Sequence, residues 1–216
     1  DQQFVKDLAG KLGMPFHTIN FDTKKYAAEK KISIQMAARE LRYQWFAELS
    51  QQSGYDAIAL AHHQNDTIET ILLNLTRGTG IAGLHGILPK NGSIVRPLLF
   101  LKRDDIQDIV TTENLQYVED SSNSSTKYAR NKMRLEVIPK LKELNPALEG
   151  TFENNLKHFR SLEILLEQKL EELKKEIFTF YGEEIHIRIE DVKKLQPQLL
   201  LLYGLLQEYG FNESTA

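Results

Sequence analysis

The 216-residue chain has no cysteine, which removes disulfides, thiolate nucleophiles, Cys-ligated zinc and Cys-ligated iron–sulfur clusters from its chemistry. A reducing, cytoplasmic setting is the natural expectation. No apolar run approaches the roughly 18 residues of a membrane helix; Leu199–Leu202 is only a helix-sized cluster. The polar N-terminus also lacks the charged-then-apolar pattern of a secretory signal. Charge of one sign is missing too: 27 Lys+Arg stand against 30 Asp+Glu, a formal net of −3. Any attraction to nucleic acid must therefore be local, and no membrane partner is expected. Repeats and low-complexity segments are absent. Nothing before Phe4 supplies the first strand and phosphate loop of an α/β nucleotide domain, so the chain is expected to begin inside a domain.

What is present suffices for a sizeable core. At 41% hydrophobic content, one full domain plus a smaller one is expected, divided at 1–138 and 139–216 where Pro139 and Pro146 mark a boundary. Phe4, Val5, Leu8, Ala9 and Leu12 recur at helical spacing, and Met14–Phe21 reads as a strand. Ala37, Ala38, Leu41, Trp45, Phe46 and Leu49 form the apolar stripe of a helix, with Arg39, Arg42 and Tyr43 beside it. Ile94–Phe100 reads as a strand and Lys102–Leu115 as a helix, so the alternation predicts an α/β fold with a Rossmann-like, doubly wound parallel sheet. Beyond Pro146, residues 152–180 step by three and four as a helix of about eight turns, interrupted only at Glu163. Ile185, Ile187 and Ile189 alternate as a short strand, and Leu195–Tyr209 reads as an apolar helix interrupted by Pro197 and Gly204.

The chemistry concentrates in Leu60–Leu84. The short apolar run from Tyr55 predicts a strand buried on both faces, and ligands bind α/β sheets where such strands end. A helix over His62–Arg77 places His62, Asp66, Glu69 and Thr70 on one face, with Ile68, Ile71, Leu72 and Leu75 on the other. The leucines are expected to pack and the acids to point outward. The bland alternative is a capping box, with Asp66 as cap and Glu69 reaching back. Arg77-Gly78 likewise fits an ordinary helix end. Neither accounts for Gly80, Gly83, Gly86 and the paired histidines. Further on, residues 127–142 carry six cations against Glu136 alone, which points to a polyanion held through phosphates rather than base edges.

Five motifs in order carry a resemblance: Ala61–Thr70, Arg77–Leu84, Arg96-Pro-Leu-Leu99, Val118–Asn123 and Arg130-Asn-Lys-Met-Arg134. Together they resemble the tRNA(Ile)-lysidine synthetase family of PP-loop ATP pyrophosphatases. The family's Ser-Gly-Gly-x-Asp-Ser loop has no counterpart here, so the chain alone is not expected to bind ATP competently. The resemblance implies a ligase that joins L-lysine to the wobble cytidine of a tRNA(Ile) with a CAU anticodon, using ATP and Mg²⁺. Adenylation of the cytosine carbonyl oxygen releases pyrophosphate, and the lysine ε-amine then displaces AMP.

By the same resemblance Asp66 and Glu69 are the essential carboxylates, holding the lysine amine or a metal ion. Arg42 faces phosphates, and His62 contacts the nucleotide or the lysine. Arg77, Gly78, Thr79 and Gly80 shape the pocket wall. Arg130, Asn131 and Arg134 meet RNA phosphate or the activated intermediate, with Asp120 and Asn123 fixing their loop. Asn65 and Thr67 stand where many members have Asp and Gln. A homodimer is left open. Three rival readings are a PP-loop tRNA thiolation enzyme, disfavoured by the absent cysteines, a metal-dependent phosphohydrolase using His62, His63, Asp66 and Glu69, and an inert RNA-binding module.

Overall fold

Capping residues set the ends of several helices in the computed structural model, which describes residues 2–119 and 129–211. Asp120 and Asn123 lie outside them. The chain divides into two compact units, one of Asp1–Arg77 with Gly86–Glu149, the other of Gly78–His85 with Gly150–Ala216.

In the first unit, helix α1 spans Gln2–Lys11 and α2 Thr23–Lys30. Asp22 caps α2 by accepting the Lys25 N–H at 3.0 Å, and Ser33 caps α3 (Ile34–Ser53) by accepting that of Met36 at 3.2 Å; each satisfies a donor the helix start leaves open. Gly54 closes α3 in the left-handed region at φ 69°, where glycine carries no Cβ penalty. Ala27 and Ala37 are buried where α2 packs on α3.

The sheet is small. Strand β1 (Ile58–Ala59) pairs in parallel with β3 (Ile94–Val95), and β2 (Lys90–Asn91) joins β3 antiparallel. The order β1-β3-β2 thus contains one parallel pairing of the kind the alternation predicts. Met14–Phe21, predicted as a strand, forms no ladder: it is exposed except at Phe16 and has neither a partner nor a core face to pack on. Strand β1 is not buried on both faces either; Ala59 is exposed.

Helix α4 covers Gln64–Arg77, and α5 covers Arg103–Thr112. Helix α6 (Ala129–Lys132) runs through a π-helical turn, Met133–Val137, into α7 (Ile138–Leu144).

Most of α8 (Leu148–Ile177) belongs to the second unit, which continues with the hairpin β4 (Phe178–Tyr181) and β5 (Glu184–Ile187), then α9 (Ile189–Lys194) and α10 (Gln198–Leu206). Phe180, placed by periodicity on the long helix, lies in β4 opposite Ile185, and Ile189 starts α9 rather than extending the strand. The core here is Leu170, Leu173, Phe178, Leu195, Leu201 and Leu205, each contributing about 1.5–3 kcal/mol by leaving water. Gly204 does not interrupt α10. It is buried, and a Cβ there would stand 2.6 Å from Leu170 Cδ1, so it is the close-packing point of α10 on α8. No described helix is long and apolar enough to cross a membrane.

Candidate functional site

Helix α4 carries the two acids, and its start differs from both sequence readings. The N-cap position is His63, and Asp66, three residues on, reaches back to accept the His63 N–H at 2.9 Å. Asp66 therefore has the returning-carboxylate role of a capping box, which the sequence reading assigned to Glu69. The Gln64 N–H donates to the Leu101 carbonyl at 2.9 Å, which seats the helix start against the loop beyond β3.

The acids do not point outward. Glu69 is fully buried, as are Ile68 and Ile71, while Leu75, predicted to pack, is exposed. The opposing element explains the reversal. Arg130 and Arg134 stand four residues apart on α6 and the π turn, hence on one face, and both turn onto Glu69. Arg130 Nε donates to Glu69 Oε2 at 2.8 Å; Arg134 donates from Nε to Oε1 at 2.5 Å and from Nη2 to Oε2 at 3.1 Å. Arg134 Nη2 also reaches Asp66 Oδ1 at 3.3 Å, and Arg130 Nη2 donates to the Asp66 carbonyl and to Thr70 Oγ1, each at 3.1 Å. A buried carboxylate is tolerated only when paired and hydrogen-bonded, and two guanidiniums supply both. The hydrogen bond to Glu69 holds Arg134 more firmly in its charged form than usual.

At the C-terminal end of β1 a cavity of about 250 Å³ is lined by Arg39, Arg42, Tyr43, Phe46, Leu60, Ala61 and His62. The Arg39 guanidinium lies 4.7 Å from the Tyr43 ring centroid and donates to its hydroxyl at 3.1 Å, a stacked and hydrogen-bonded pairing. His62 accepts at Nδ1 from Arg96 Nε at 3.3 Å, and Arg96 Nη1 donates to the Leu88 carbonyl at 2.6 Å. Burial, above all, lowers the His62 pKa below its usual value, with Arg96, Arg130 and Arg39 acting the same way against Asp66. His63 is lowered too, first by burial. Two cations, aromatic faces and a neutral imidazole suit a phosphorylated aromatic ligand.

The remaining predicted residues fall elsewhere. Arg77 ends α4, exposed, in the first unit. Gly78, Thr79 and Gly80 belong to the second unit and are exposed; Gly78 has φ 80°. In this loop the close approach is at Gly83, where an added Cβ would lie 1.7 Å from Thr79 Oγ1. Asn131 is half-buried on α6. Asn123 is outside the described residues. Asn65 accepts the Arg103 N–H at 2.9 Å and donates to Glu149 at 3.4 Å, so it caps α5. Glu149 is also paired with Lys142. Burial opposes ionisation there, but the bonds from Lys142 and Asn65 outweigh it and lower the pKa.

Sequence reasoning missed the role of Arg96, visible only as one residue of a motif, and the pairing of Glu163. The latter is signalled by the break in the α8 stripe: Glu163 accepts from His85 Nδ1 at 2.7 Å within the second unit.

A PP-loop domain family matches residues 1–141, and a TilS substrate binding domain family matches 180–216. The chain is 43% identical to a tRNA(Ile)-lysidine synthase of Parabacteroides distasonis, over 98% of this chain and 48% of that protein. It is 41% identical to one of Bacteroides thetaiotaomicron, over 99% of this chain and 49% of that protein. Against one of Petrotoga mobilis the identity is 35%, over 92% of this chain and 67% of that protein. The chain thus spans about half the length of the first two relatives.

Proposed function

We propose, for a chain that belongs to the PP-loop domain family and within it to the tRNA(Ile)-lysidine synthases, that the whole protein joins L-lysine to the wobble cytidine of a tRNA(Ile) with a CAU anticodon, at the expense of ATP. The observation that carries the reading is the adjacency, within one unit, of the Arg39–Arg42–His62 cavity and the buried Asp66/Glu69 pair under Arg130 and Arg134. The doubly wound parallel sheet is part of this proposal, with β1 and β3 as its parallel core, and so is the division into a catalytic domain at 1–138 and a tRNA-contacting region at 139–216. A cytoplasmic location follows from the substrate.

The reaction assigns tasks to these groups. The cytosine carbonyl oxygen attacks the α-phosphate of ATP and pyrophosphate leaves; the lysine ε-amine then attacks the activated carbon, AMP leaves, and the amine gives up a proton. Arg42 and Arg39 stabilise charge on the phosphates as it shifts. Asp66 and Glu69 hold Arg130 and Arg134 in place, fixing two cations beside the adenylated intermediate. The slightly exposed edge of Asp66 is the carboxylate surface left for the lysine ammonium.

Mg²⁺ finds no open carboxylate set here. Oxygens of Asp66 and Glu69 are engaged by guanidinium groups, and no cluster of three or more His, Asp or Glu able to hold a metal occurs among the described residues. Mg²⁺ would be carried by the triphosphate, and no step is assigned to it through these side chains. The same engagement disfavours the phosphohydrolase reading.

The test is incorporation of radiolabelled L-lysine into tRNA(Ile) by the intact protein. Asp66→Asn and Glu69→Gln are each expected to abolish it with the fold retained. Full lysine incorporation by both variants, or none by the wild type with ATP present, would overturn the proposal.

A further inference from the structure

The one-directional chemistry of arginine fixes the state of His62. A guanidinium has five N–H donors and no acceptor, so the Nδ1 that Arg96 Nε meets at 3.3 Å must hold a lone pair. Arg96, the residue after β3, is itself held by the carbonyl of Leu88, which precedes β2, at 2.6 Å, and its approach to the ring is set by backbone. We propose that Arg96 is a positioning residue that locks His62 as the neutral Nε2–H tautomer, making the imidazole a hydrogen-bond donor to a phosphate oxygen of ATP, and neither a general base nor a partner for the lysine ammonium.

The inference rests on the nucleotide reading of the cavity, and it selects between the two ligands that the resemblance allowed His62. An ammonium group needs acceptors, and with Nδ1 engaged by Arg96 the nitrogen left for a ligand carries a proton. The surroundings agree. The charged groups facing His62 are Asp66 on α4, Arg96, Arg130 on α6 and Arg39 on α3, three cations to one carboxylate, a field that suits an anionic ligand. The ring lines the cavity together with Arg39 and Arg42, so the donor and two guanidiniums serve the same space. A second-sphere donor that fixes a histidine tautomer is a general device wherever imidazole polarity matters.

The test is nitrogen NMR of the intact protein with ¹⁵N-labelled histidine, the His62 signals being assigned by their loss in His62→Gln. The wild type is expected to show a bare Nδ1 and a protonated Nε2 at neutral pH, and ATP is expected to shift Nε2 while L-lysine alone does not. Arg96→Met is expected to yield a mixture of tautomers and a higher titration midpoint for His62. A proton on Nδ1 in the wild type overturns the proposal, as does an Nε2 signal that ignores ATP or follows L-lysine alone. An unchanged tautomer and midpoint in folded Arg96→Met would also overturn it. The wild-type spectra do not depend on Arg96→Met, so they decide even where that variant fails to fold. Lysine incorporation measured on the same preparation separates the two proposals: its absence with the expected spectra counts against the lysidine reading alone.

Discussion

Replacing Arg134 with methionine keeps much of the side-chain volume and removes the guanidinium from Glu69, the most deeply buried charge of the first unit. Of the three hydrogen bonds that Glu69 accepts from arginine, two come from Arg134, and Asp66 Oδ1 loses one more. Hydrogen bonds to charged groups contribute about 1.5–3 kcal/mol each, and breaking a buried pair from one side costs about 3–5 kcal/mol. Arg130 remains on Glu69, and Arg134 keeps some exposure through which water can enter, so the lower end applies. Arg134→Met is therefore expected to cost about 3 kcal/mol, on the order of 10 °C in melting temperature.

A double-mutant cycle tests the cause rather than the size. Glu69→Met in the Arg134→Met background should cost at least about 1.5 kcal/mol less than in the wild type, because the uncompensated charge is already there to be relieved. The assay is urea unfolding of the intact protein followed by circular dichroism, with thermal melts alongside. Additivity within about 0.5 kcal/mol, or a melting shift under about 2 °C for Arg134→Met, would refute the view that the arginines are what allow Glu69 to be buried.

Further tests address other parts of the molecule. His62 and His63 have folded pKa values below the ordinary 6.5, so the unfolded chain binds more protons in the window just below that value; melting temperature is expected to fall as pH is lowered from 7 towards 5.5, and a slope unaltered in the His62→Gln/His63→Gln double variant would contradict this. Arg42→Ala should raise the ATP requirement for adenylation of tRNA by about tenfold or more, one lost phosphate contact's worth; unchanged formation of AMP-tRNA would remove Arg42 from the site. Gly204→Val should destabilise the second unit by about 1–3 kcal/mol through overpacking on Leu170, and an unchanged melting profile would show that Leu170 yields freely.

How much was legible follows from which forces were local. The stripe of α3, the extent of α8 and the ends of α4 and α5 are written in periodicity and caps, and the sequence reading places them within a few residues. Strand Met14–Phe21 is not formed, because a ladder depends on a partner strand that local pattern cannot supply. The orientation of Asp66 and Glu69 was misread for a related reason. Acids on one helix face ordinarily belong in water, and only the arrival of Arg130 and Arg134, more than sixty residues away, makes that face the inner one. The motifs nevertheless drew on residues distant in sequence that meet in space: Asp66, Glu69, Arg130 and Arg134. Arg96 escaped notice because its partner, His62, is set by sheet geometry and not by spacing.

The break in the stripe of α8 has a mechanical meaning. Glu163 sits where an apolar residue would keep the pattern, and His85 meets it from the Gly78–His85 segment. Apolar seams are slippery: one leucine replaces another when a helix shifts by a turn of about 5.4 Å, with little lost. A carboxylate in the stripe has no such substitute, since a slip would part it from His85 and leave the imidazole N–H without this acceptor. Glu163 and His85 therefore work as a detent, a single notch that indexes the glycine-rich segment to one position along thirty residues of helix.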